Sequence, residues 1–145
     1  MDAAEFVAFA GRNVSQGKAG ARSAISRAYY GVFHAALAIL QELAAESPGS
    51  GKAHNLVAQY LFGAKHPAAS AVARIITGLH GDRIEADYRL SSPLPEDLGF
   101  AKSKVELAAD SLKLLDQFRN ECRADPTNLQ ALRDGIARVK EVHQA

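Results

Sequence analysis

The sequence predicts an all-α fold: an antiparallel, up-and-down bundle of four core helices with a further helix at the C-terminus. Three observations predict it. Apolar residues recur at helical spacing along nearly the whole chain, and no segment alternates as a strand does. The glycine- and proline-bearing breaks are short, which favours antiparallel neighbours. The 145 residues suffice for one domain with a genuine core.

Each element has its own signal. Asp2 followed by Glu5 reads as a capping box opening a first helix that reaches about Gln16. "GKAG" at 17–20 is the predicted break. A second helix spans about Ala21 to Ala45, and "ESPGSGK" ends it. A short helix covers about Ala53 to Phe62, and "GAKHP" follows. A helical run from about Ala68 to Tyr88 carries Gly78 and Gly81 as candidate kinks, and "SSPLP" stops it. From Glu96 to Arg123 a narrow stripe runs through Leu98, Ala101, Val105, Ala108, Leu112, Leu115 and Cys122. "ADPTN" starts the last helix, with Asp125 as N-cap and Pro126 in first position. Its stripe is Leu129, Leu132, Ile136 and Val139. Residues 1–123 are thus read as the bundle, and 126–145 as an amphipathic helix packed on the bundle or on a partner.

Composition narrows the function classes. Apolar residues make up 48% and charged residues 23%, an ordinary globular balance. A net charge of +1 supplies no global field to draw nucleic acid or anionic membrane. Arg12, Lys18, Arg22 and Arg27 make the N-terminal part modestly basic, which predicts a solvated face with phosphate contact as the sharper alternative. The single cysteine, Cys122, excludes an internal disulfide, fits a reducing compartment, and predicts a buried thiol. "MDAAEFVAFAGRN" does not read as a signal peptide, and no stretch reaches the roughly 18 apolar residues of a membrane span. A cytoplasmic protein away from the membrane is expected. None of the five histidines has tight metal-ligand spacing, so no metal and no cofactor are expected. "SPGSGK" at 47–52 follows a helix and lacks full phosphate-loop spacing, so it reads as a connector.

The unusual stretch is "SRAYYGVFHAAL", residues 26–37. At about 100° per residue, Ile25, Tyr29, Val32, Ala36, Ile39 and Leu43 share one face. Phe33, Leu37 and Leu40 widen it, which marks the helix as central. Arg27, Tyr30, His34 and Gln41 lie roughly opposite. Arg27 and His34 are two turns apart on the same side, about 10 Å along the axis. Two readings fit that polar line. It is a buried network in which Arg27 needs a carboxylate, or it faces a cleft where Arg27 holds phosphate and His34 moves protons.

"SRAYYGVFHAALAIL" resembles the second-helix signature of a bacterial and archaeal branch of the HEPN family (higher eukaryotes and prokaryotes nucleotide-binding domain). "RIEADYRL" at 83–90 resembles the Arg-x-x-Ala-Asp-Tyr element that this branch carries about fifty residues later. The resemblance covers roughly residues 1–120. It implies a helical bundle, usually a homodimer. Many relatives in that family are metal-independent endoribonucleases of toxin–antitoxin or defence systems, marked by an arginine, four to six residues, then a histidine. Many are neutralised by a small nucleotidyltransferase partner. Carried onto this chain, Arg27 and His34 enclose six residues and meet that mark, with Tyr30 orienting. Arg74 and His80 enclose five and are a weaker second pair, which needs a break at Gly78 to converge. Arg83 and Asp87 are spaced to pair on one helix face. A wider network is also expected, in which Asp87 reaches Arg27 and Tyr88 packs near Tyr29 or Tyr30. The resemblance leaves two functions open: a toxin-like ribonuclease acting on RNA, or a non-catalytic bundle that binds a nucleotidyltransferase.

Overall fold

The structure, a computed structural model, describes residues 1–49 and 51–144. Ser50 of the connector and Ala145 of the C-terminal segment lie outside the described residues. Among the described residues six helices make up the fold: α1 (Ala3–Asn13), α2 (Gly17–Ala44), α3 (Ala53–Gly63), α4 (Pro67–Tyr88), α5 (Leu98–Ala124) and α6 (Pro126–Gln144). A single 3₁₀ turn, Leu94–Glu96, precedes α5. No strand occurs among the described residues, and no helix there is long and apolar enough to cross a membrane.

Contacts between side chains give the topology. Ser26 of α2 meets Asp87 of α4, and Tyr29 meets His80, so these helices run antiparallel. Lys104 and Asp82, then His66 and Glu121, set α4 antiparallel to α5. The expected buried face of α2 is buried throughout, from Ile25 to Leu43. α2 packs against α1, α4 and α5 and is the central helix, which explains why it is apolar over most of its circumference.

The expected helix starts hold at two places: Asp2 Oδ1 accepts from the Ala4 amide at 3.0 Å, and Asp125 Oδ1 from Thr127 at 2.9 Å. α5 begins at Leu98 and not at Glu96, because Asp97 caps it, its Oδ1 accepting from the Phe100 amide at 2.8 Å. One boundary differs. "GKAG" is not the break but the first turn of α2, and the chain reverses over 14–16 instead. Gly17 takes φ +74°, and a Cβ on Gly20 would collide with the Asn13 carbonyl. The two glycines therefore serve the sharp reversal and the close passage of α2 over the end of α1. Gly78 and Gly81 make no break, since α4 is continuous through both.

The last helix docks on its own chain. Leu132 and Ile136 are buried against α3 and α5, and a Cβ on Gly135 would strike the Gly63 backbone. Gly135 is therefore required there, and a side chain at Gly63 would meet the Gly135 backbone at 3.2 Å, tighter than ordinary contact. The buried stripe of α6 is therefore used within the protomer, not presented to a second chain. Cys122 is a free, buried thiol, and burial followed by the Glu121 charge pushes its pKa up to about 11.

Candidate functional site

α2 carries two polar constellations, and they are built differently. The first is a clamp to α4. The Ser26 hydroxyl donates to Asp87 Oδ2 at 3.1 Å, and Arg83 Nε lies 3.0 Å from the same oxygen. The Arg83 N–H is not aimed at that oxygen in hydrogen-bonding geometry, so the attraction is mainly between charges. The Arg83 guanidinium sits 5.1 Å from the centre of the Tyr30 ring and 5.4 Å from that of Tyr88. The two signature segments thus meet through Ser26, Tyr30, Arg83 and Asp87. The expected Asp87–Arg27 contact is not formed: Arg27 points away from α4 and is exposed. Tyr88 does not pack near Tyr29 or Tyr30. It is 69% exposed and covers the outside of Arg83.

Arg22, expected on a solvated face, is also structural. It reaches the carboxyl end of α4, where helix carbonyls lack partners. Nη1 donates to the Ala86 carbonyl at 2.9 Å, and Nη2 donates to Ser92 O at 2.6 Å and Glu96 Oε2 at 3.2 Å. One guanidinium thereby ties α2 to the end of α4 and to the loop before α5.

The second constellation is open. Arg27 and His34 are exposed on one side of α2, with Tyr30 half-buried between them. Neither Arg27 nor His34 forms a salt bridge among the described residues. The His34 ring stacks on Phe6 of α1, with centroids 5.6 Å apart and planes at 24°, and on Tyr30 at 6.2 Å. These contacts set the plane of the imidazole on a residue that stays exposed.

Ring contacts continue inward. Tyr29 meets Tyr30 at 5.2 Å and His80 at 5.4 Å, and His80 stacks on His54 of α3 at 3.9 Å. Burial, with a small addition from Tyr30, raises the Tyr29 phenol to about 12, so it stays protonated. Burial, then His54 and Arg83, lowers the pKa of His80. Two facing imidazoles beside a guanidinium disfavour a further positive charge. Sequence reasoning missed the pairing of His54 with His80, because 25 residues separate them and no helical spacing joins them.

Arg74 and His80 are not brought together. On the unbroken α4 they diverge by about 120°. Arg74 lines a groove with Phe62, Thr77 and Val139, while His80 faces His54 and Tyr29. Of the other histidines, His66 N-caps α4, its Nδ1 accepting from the Ala68 amide at 3.1 Å while Nε2 meets Glu121 at 2.7 Å. An accepting Nδ1 puts the proton on Nε2. Among the described residues, no three His, Cys, Asp or Glu side chains gather as a metal cage.

No protein family, curated protein or solved structure matches the chain.

Proposed function

We propose that the protein is a HEPN-type, toxin-like endoribonuclease that works without metal in the cytoplasm, as a homodimer restrained by a small nucleotidyltransferase. One observation carries this reading: Arg27 and His34 stand exposed on one face of the central helix without a salt bridge among the described residues. A buried structural arginine would have a carboxylate, as Arg22 and Arg83 do.

In this reading the ribose 2′-hydroxyl attacks the adjacent phosphorus, His34 accepts its proton, and the 5′-oxygen leaves. A 2′,3′-cyclic phosphate and a 5′-hydroxyl result, the leaving oxygen taking its proton from the same imidazolium or from water. Arg27 neutralises the charge gathering on the non-bridging oxygens, and Tyr30 holds the imidazole plane.

A second reading, a non-catalytic module for a nucleotidyltransferase, is favoured by one specific feature. Among the described residues no hydrogen bond orients His34, whereas a catalytic imidazole is commonly held by a partner on its second nitrogen. Incubation of purified protein with RNA, with and without chelator, separates the two. The ribonuclease reading expects chelator-resistant cleavage that His34→Ala abolishes while the circular dichroism stays unchanged. Intact RNA with partner-free wild-type protein would overturn it.

A further inference from the structure

Beside the open face lies an open cavity of about 500 Å³ on the surface of α1, with Arg27 of α2 at its edge. Phe6, Phe9 and Arg12 of α1 line it, as do Glu5 and Arg27. Phe9 neighbours Phe6 on one side and Arg12 on the other at three-residue steps, while Phe6 and Arg12 themselves stand about 120° apart, so the lining wraps part of the way round α1 with Phe9 at its centre. Phe9 takes no part in the buried core and remains 41% exposed. Arg12 has no salt bridge among the described residues. An aromatic surface held open to water beside two unpaired guanidiniums has a defined chemistry. A nucleobase stacks on the rings, because every base offers a π-face. A phosphate takes the guanidinium donors, whose fork matches its oxygens. Glu5 at the same wall disfavours phosphate near itself and accepts N–H groups from a base edge. That assigns the base to one end and the phosphate to the other. The volume falls within the range of small-ligand sites, about 300–1,000 Å³.

We propose that this cavity binds one nucleotide of a single-stranded RNA, its base against Phe6 and Phe9 and its phosphate on Arg12, with Arg27 at the edge left for the scissile phosphodiester. The site rests on the reading above that RNA is the substrate, and adds a binding subsite to it. Phe6 is shared: it lines the cavity and also stacks on His34. A nucleotide seated here therefore presents the next phosphodiester along the strand to the His34 imidazole.

The test is fluorescence anisotropy of the full chain with a short mixed-sequence 2′-O-methyl RNA, which lacks the attacking hydroxyl and so reports binding without cleavage. Phe9→Ala is expected to weaken binding about tenfold. Arg12→Gln is expected to weaken it similarly and to reduce the slope of log affinity against log salt by about one. If Phe9→Ala fails to fold, Phe9→Leu keeps an apolar side chain without a π-face, and the same loss is expected. Variants that bind as tightly as wild type, or a wild type that does not bind at low salt, overturn the proposal. Cleavage of ordinary RNA measured in parallel separates the two claims. Wild-type cleavage that Phe9→Ala and Arg12→Gln leave untouched defeats the subsite and spares the ribonuclease. Binding that needs both residues, without any cleavage, defeats the ribonuclease and spares the subsite.

Discussion

Arg83 and Arg27 stand on neighbouring helices, and the sequence invites the same role for both. Their surroundings differ. Arg83 lies between two tyrosine rings with Asp87 beside it, and Asp87 is held in turn by Ser26. Arg27 is exposed at the edge of a cavity with no salt bridge among the described residues. A cation that stabilises the fold is surrounded by acceptors, because an unpaired charge away from water is expensive. A cation that serves a ligand keeps its donors open. Tyr30 belongs to both regions, facing Arg83 on one side and His34 on the other. The polar stretch of α2 is therefore two things at once, a clamp to α4 at Ser26 and Tyr30 and an open face at Arg27 and His34.

The structural side should break first and hardest at Arg22. Its side chain is 11% exposed, and it carries the carboxyl end of α4 and Glu96. Arg22→Met leaves those acceptors and one carboxylate without their cation, so a loss of about 3–5 kcal/mol is expected in urea unfolding. Arg22→Lys should recover only part, since one ammonium cannot reproduce the fork. A loss below about 1 kcal/mol would mean that water replaces the guanidinium without penalty.

Asp87→Ala should cost less. The Arg83 and Asp87 side chains are 18% and 28% exposed, so the pair is screened in part. A loss of about 1–2 kcal/mol is expected, well under the value for a fully buried pair. Ser26→Ala made in the same background should add little, because both changes remove the same contact.

The helices were legible where the signal is local. Capping aspartates, proline at a first position and apolar stripes located α3 to α6 within a few residues. The start of α2 was not legible, because "GKAG" has the composition of a turn and its glycines are required by contact with Asn13. The same blindness to distance hid the Gly63–Gly135 crossing, the Arg22 contacts with α4 and the His54–His80 stack. At the candidate site, helical spacing put Arg27, Tyr30 and His34 on one side correctly. The contribution of Phe6, Phe9 and Arg12 from α1 depends on how two helices cross, which spacing along one helix does not encode.

The His54–His80 stack predicts a smaller, pH-dependent effect. The folded pKa of His80 lies below the ordinary 6.5. As pH falls through that value the unfolded chain takes up a proton that the folded protein resists, so stability decreases. The contribution is complete above the unfolded value and lost as pH falls toward the folded one. His80→Phe keeps a ring against His54 and removes the titration. Thermal unfolding at about pH 7.5 and about pH 5 should show a smaller drop for His80→Phe than for wild type. Equal drops would place the pH sensitivity elsewhere.

The contrast between the two arginines is tested most directly at Arg27, by measuring urea unfolding and RNA cleavage on the same Arg27→Gln preparation. An open, ligand-facing arginine predicts an unfolding free energy within about 0.5 kcal/mol of wild type and cleavage reduced by at least about a hundredfold. Wild-type cleavage with unchanged stability, or a stability loss above about 1.5 kcal/mol, would contradict it.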